Sequence, residues 1–292
     1  MMEKHLLLTI SEKRSALYGA RFLGNFFSEK KEMKITLFYT ATKPPAVWDG
    51  ERTRDSERQI KHKVKEIETK GRGALEDAKK ELVRFGFKQD KIGTKFQVRQ
   101  LSKVNDIIRE AEKGLYDAVV LGRRGLSWLE EAYDESVTKE ISKKRWNIPL
   151  WVCRRPDLKR KNVLVCVDGS GAAYRVVDHV GFILGQEEKH AVTLFMVGKH
   201  RARDKEQTEK ILNKSTELLL KNGLPAELIS TKIVAGANVA KTILKEADQG
   251  NFAAVATGRT DKKQSFLDKL FRGSVIGTLL RELEESALWT YE

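Results

Sequence analysis

Residues 116–137 read YDAVVLGRRGLSWLEEAYDESV, and residues 252–275 read FAAVATGRTDKKQSFLDKLFRGSV. Each stretch is a short apolar run, then Gly-Arg, then a polar loop, then Ser-Val at a helix start. Outward from these anchors the order of elements repeats: residues 6–10 match 163–167, and Leu150-Trp151 matches Leu288-Trp289. A period this far above that of solenoid repeats means two copies of a whole domain. A strand that ends in a glycine loop and feeds a helix is where α/β folds hold phosphates. The copies also form an internal comparison, in which one site can keep chemistry that the other has lost.

The chain of 292 residues holds two domains of ordinary size, each able to bury its own core. A hydrophobic fraction of 40% and a charged fraction of 33% fit a globular protein with a heavily charged surface. No apolar stretch approaches the length needed to span a bilayer. The opening MMEKHLLLTISEK carries too short an apolar run for a secretory leader, and no small-residue cleavage site follows. It reads as a first strand, and the expected location is cytoplasmic. The net charge of +14 leaves two readings open: a polyanion partner, nucleic acid or nucleotide phosphates, or lysines that solvate long helices. The charges are intermixed, as in SERQIKHKVKEIETKGRG at 56–73, and the basic clusters are short: Arg154-Arg155, Lys262-Lys263, 143–145 and 159–161. Cys153 and Cys166 sit inside apolar runs and read as small buried hydrophobes. Neither has a Cys or His at metal-ligand spacing, so neither a disulfide nor a metal site is expected.

In the first half, strands are predicted at 6–10, 35–39, 96–99, 118–121 and 148–153. Between them, Ala16, Ala20, Leu23 and Phe27 mark one helix, and Val104, Ile107, Ile108 and Ala111 another. The polar stretch 48–91 is helical in pattern and predicted to break at Gly71 and Gly73, with Ala74, Leu75, Ala78, Leu82 and Phe85 as the stripe of its second part. In the second half, strands are predicted at 163–167, 192–197, 231–234, 253–257 and 287–291. Ser170 reads as the N-cap of a helix carrying Ala173, Val176, Val177, Val180 and Leu184. Further helices span 205–222, stopped by Gly223 and Pro225, and 239–247. Strands alternating with helices predict a parallel sheet with helices on both faces. The polar segment RRPDLKRKN, 154–162, divides the chain into domains 1–155 and 156–292. It is short, so the halves should touch.

In open α/β sheets the ligand crevice lies at the carboxyl ends of the strands. In the second half, Asp168 ends the first strand, where a carboxylate can accept from an amino group or a sugar hydroxyl. Gly258 opens the glycine loop, where a missing Cβ lets backbone approach a ligand. Gly273-Ser274-Val275 then starts a helix whose free N–H groups and dipole favour an anion. The candidate cofactor-binding set is Asp168, Gly169, Val234, Gly258, Arg259, Gly273, Ser274 and Val275. No G-x-S-x-G elbow, Walker loop or HExxH motif is present, and no catalytic residue is assigned.

The strand ending VDGS, the glycine loop after a buried strand, and GSV at a helix start resemble universal stress protein domains. Nucleotide-binding members of that family carry a loop of the form G-x2-G-x9-G-[ST]. The first half shows its front, Gly122-Arg123-Arg124-Gly125, with a nine-residue gap to Glu135-Ser136-Val137. The resemblance covers nearly the whole chain as a tandem. It implies two adenine-nucleotide-binding-like α/β domains, each a five-stranded parallel sheet, paired through their last strands. Both copies depart from the pattern. The first has Ser11 in place of Asp168 and Glu135 in place of the glycine at the anion site. The second keeps Asp168, Gly258, Gly273 and Ser274, but has Asp261 at the second glycine and a loop two residues longer, with Lys262 and Lys263 in it. The resemblance thus implies a non-catalytic regulatory or protective stress-response protein that takes ATP or another adenine nucleotide in its second half. It also implies a possible homodimer of tandem chains. Three alternatives stay open: an interaction protein that binds no nucleotide, a nucleic-acid binder driven by charge, and a slow ATP hydrolase.

Overall fold

A computed structural model describes residues 3–12, 17–43, 54–100, 103–122, 148–155, 157–185, 187–198, 205–258 and 274–292. The first half runs β1 (Lys4–Thr9), α1 (Leu17–Phe26), β2 (Met33–Ala41), α2 (Arg54–Arg84), β3 (Ile92–Val98), α3 (Lys103–Lys113), β4 (Ala118–Gly122) and β5 (Leu150–Cys153). The second runs β6 (Val163–Cys166), α4 (Gly171–Leu184), β7 (Val192–Gly198), α5 (Lys205–Lys221), β8 (Ile229–Ala235), α6 (Val239–Gln249), β9 (Ala254–Gly258), α7 (Val275–Glu282) and β10 (Ala287–Tyr291).

All ten strands form one sheet, in the order β3-β2-β1-β4-β5-β10-β9-β6-β7-β8. Within each half every pairing is parallel. The chain reverses its direction of travel between β1 and β4, and again between β6 and β9, so each half has one switch point. Continuous apolar runs suit strands covered on both sides. Leu6, Leu7 and Leu8 of β1 are all fully buried: Leu6 and Leu8 face the core under α1 and α2, and Leu7 faces the core under α3. The same alternation puts Val163 and Val165 under α4 and Leu164 under α6.

The halves join where the sequence analysis placed the contact. β5 and β10 pair antiparallel, with Trp151 opposite Trp289 and Leu288 opposite Val152. The two indoles stack with centroids 4.0 Å apart and planes 7° from parallel. Around them, Phe22 and Phe26 of α1 meet the edge of Trp289. Trp151 Nε1–H donates to His179 Nε2 on α4 at 3.2 Å. Lys4 Nζ reaches the Ile183 carbonyl at 2.8 Å, and Glu187 accepts from the backbone N–H groups of Ser28 and Glu29.

Two expectations need correction. The helix predicted to break at Gly71 and Gly73 runs unbroken through both, as α2. A Cβ on Gly71 would stand 2.5 Å from the Phe96 ring and 2.7 Å from Tyr39, so this glycine lets α2 lie close on β2 and β3. Pairs of Glu66 with Lys70 and Glu68 with Arg72 support the same stretch. The outer strands are also longer than predicted: β3 begins at Ile92 and β8 at Ile229. The sequence analysis placed no element on residues 92–95 and 229–230, which belong to edge strands with one exposed side. Each edge carries a lysine at the same register position. Lys95 pairs with Glu110 of α3, and Lys232 with Glu246 of α6, a charged arrangement that discourages further strand addition.

Candidate functional site

The crevice of the second half forms at the carboxyl ends of β6, β7, β8 and β9. Side chains alternate along a strand, so Cys166, Val197 and Val234 share the face that packs under α6 and α7. All three are partly exposed, as are Val275 and Ile276 at the start of α7. These partly exposed apolar side chains cluster at the strand ends and form a strip, here termed the slot. Asp168 lies two residues beyond Cys166 on the same side, exposed at the rim. Its Oδ1 accepts from the Ser170 N–H at 2.9 Å, and Gly169 closes this turn with φ +79°, a left-handed conformation that favours glycine. Burial, with Asp168 adding to it, pushes the Cys166 thiol up to about 12. Cys166 is therefore a neutral wall of the slot rather than a nucleophile.

Ser274 caps α7: its hydroxyl accepts from the Gly277 N–H at 3.0 Å. Ser170 caps α4 in the same way, through Ala173 N–H, as the sequence predicted. The role expected of Gly258 changes. A Cβ there would stand 2.4 Å from the backbone of Ala172 and 2.5 Å from that of Ala173, so its missing side chain serves close packing of β9 on α4. That is the opposite face from the slot. Thr257, the neighbouring residue, faces the slot side and is buried.

Of the expected set, Val234 and Val275 pack against one cluster, and Asp168, Gly169 and Ser274 stand at ends of β6 and α7, with Gly169 turned toward Ile211 of α5. Arg259 and Gly273 fall outside the described residues, as do Gly125, Glu135, Ser136, Val137, Asp261, Lys262 and Lys263. The sequence analysis missed Cys166, Val197 and Thr257. Their alternation with Leu164, Phe195 and Val255 was the available signal, once strand register was known. No group of three His, Cys, Asp or Glu side chains that could hold a metal occurs among the described residues.

Register aligns the two halves residue by residue. Leu6 pairs with Ile35 and Ala118 as Val163 pairs with Val192 and Ala254, and Ile35 with Ile92 as Val192 with Ile229. The first half therefore puts Thr9, Thr40 and Gln97 where the second has Cys166, Val197 and Val234, and Ser11 where it has Asp168. The apolar slot becomes a polar one.

A model of the universal stress protein family matches residues 2–154 and again residues 159–288. Among solved structures, the chain is similar over 100% of its length to a universal stress protein from Archaeoglobus fulgidus DSM 4304, with 16% identity, 99% of that chain covered and a TM-score of 0.68. It is also similar over 99% of its length to a protein of unknown function from Pseudomonas aeruginosa PAO1, with 12% identity, 92% of that chain covered and a TM-score of 0.54. At these identities the likeness is one of fold. A comparison with curated sequences finds no match.

Proposed function

Because the chain belongs to the universal stress protein family in both halves, we propose that it is a regulatory stress-response protein whose second half binds an adenine nucleotide. The observation that carries this reading is the asymmetry of the two crevices. In the second half Cys166, Val197, Val234 and Val275 share one apolar cluster, and an exposed carboxylate, Asp168, follows two residues after Cys166. A purine is a flat apolar body with donors on its edge, and the ribose adds hydroxyl donors. Burying such a body between small apolar side chains stabilises it by about 25 cal/mol per Å² of apolar surface removed from water. Asp168 supplies an acceptor for an amino or hydroxyl donor at the rim. The first turn of α7, capped by Ser274, offers backbone N–H groups and the positive end of a helix dipole for phosphate.

Nothing in this set activates a water or a nucleophile, and the reading is of a binding protein without turnover. Nucleotide binding would shift the population of crevice conformations and so change the surface offered to a partner. The first half, with Thr9, Thr40, Gln97 and Ser11 in the matching positions, lacks both the apolar slot and the carboxylate.

Calorimetric titration of the full chain with ATP tests this. About one nucleotide should bind per chain, and Asp168→Ala should weaken binding by about tenfold, as the loss of a hydrogen bond to a charged group does. The paired substitution Val197→Thr with Val234→Gln copies the first half into the second and should weaken binding further. Equal affinity in all three proteins would refute the assignment.

A further inference from the structure

The polar crevice of the first half is built, not merely eroded. Thr40 is 8% exposed and Asp106 1% exposed, yet among the described residues Thr40 Oγ1 and Asp106 Oδ1 have no hydrogen-bond partner, and neither has the buried Nε of Arg99. Buried polar atoms are nearly always paired, because an unpaired one loses its water without recompense. Three unpaired atoms at one place point to something that pairs them.

They are at one place. Arg99 directly follows β3, and its N–H donates to the Ala41 carbonyl at the end of β2, beside Thr40. Alternation puts Thr40 on the side of Phe38, which packs on Ile107 of α3. It puts Gln97 and Arg99 on the side of Lys95, which pairs with Glu110 of α3. Asp106 stands in the first turn of α3, and its Oδ2 accepts from Gln100 N–H, next to Arg99, at 3.0 Å. All lie on the α3 face of the sheet, at the carboxyl ends of β2 and β3. The corresponding positions of the second half hold Val197, Val234, Gly236 and Thr242, so the constellation belongs to one copy only.

The unpaired groups specify a ligand. Arg99 donates only, and most strongly to an anion. Asp106 accepts only. Thr40 can do either. An aromatic base laid here would cover Thr40 and Gln97 without pairing them. We propose that the first half binds a small amino or hydroxy carboxylate, with its carboxylate toward Arg99 and its N–H or O–H toward Asp106. The tandem would then join two different ligand sites on one sheet.

The test titrates the full chain by calorimetry with L-serine, L-glutamate and L-malate, and with acetate and glycerol, which carry the anion or the donors alone. At least one of the three acids should bind at concentrations up to about ten millimolar, and acetate and glycerol should not. Arg99→Gln and Asp106→Asn should each weaken that binding by about tenfold or more. Thr40→Val separates a ligand group from a structural one without disturbing charge. It should weaken binding while leaving the melting temperature of the ligand-free protein unchanged or higher, since a methyl replaces an unpaired hydroxyl. Absence of binding by all three acids, wild-type affinity in the variants, or a lower melting temperature for Thr40→Val would each overturn the proposal.

Discussion

His179 sits under the Trp pair on α4 and is 7% exposed. Burial pushes its pKa down to about 3. Trp151 Nε1–H donates to its Nε2, which requires the neutral ring with its proton on Nδ1. The unfolded chain takes up a proton on this residue near pH 6.5, while the folded chain resists until about 3. Between those values the unfolded state binds more protons, so this residue's contribution is complete above pH 6.5 and is lost as pH falls toward 3. Denaturant unfolding at pH 7 and pH 5 should show that fall in stability. The matching position in the first half is Phe22, and His179→Phe copies it. The variant should show a smaller fall between the two pH values. At pH 7 it should be less stable by about 1–3 kcal/mol, because the Trp151 N–H is left unpaired. An unchanged pH dependence would mean that another group carries it.

Among elements, the helices show where sequence reading succeeds and where it stops. The apolar stripes and the cap at Ser170 depend on local spacing, and that cap forms as the sequence predicts, while Ser274 at the expected helix start also proves to be a cap. The glycines are different, because a glycine's role depends on what lies opposite its missing Cβ, and that is set by packing. Gly71 faces two aromatic rings, Gly73 faces open space, and Gly258 faces the backbone of α4. Composition alone made the first two look like a break and the third like a ligand contact. Gly73→Ala should stabilise the protein by about 0.5–1 kcal/mol, the usual gain in a helix interior. Gly258→Ala should destabilise it by about 1–3 kcal/mol through overpacking against Ala172 and Ala173. Thermal unfolding of both variants checks the pair, and a neutral or destabilising Gly73→Ala would argue for a broken α2.

For the whole molecule, the family resemblance implied a seam at the last strands, and the repeated Leu-Trp marked which strands those are. The ten-stranded sheet and the stacking of Trp151 on Trp289 show that seam. The register between strands was not legible, because no local pattern says which residues of separate strands lie side by side, and with it went Cys166, Val197 and the polar set of the first half. Trp289→Ala should cost about 3–5 kcal/mol, the range for a large core aromatic, and calorimetry should show the variant's halves unfolding in two steps where the wild type unfolds in one. The central claim is that one frame holds two unlike crevices and that only the second accepts an adenine nucleotide. Photolabelling of the full chain with 8-azido-ATP, followed by peptide mapping, tests it most directly. The account predicts label on the strand ends around Cys166, Val197 and Val234; label concentrated around Thr9, Thr40 and Gln97 would contradict it.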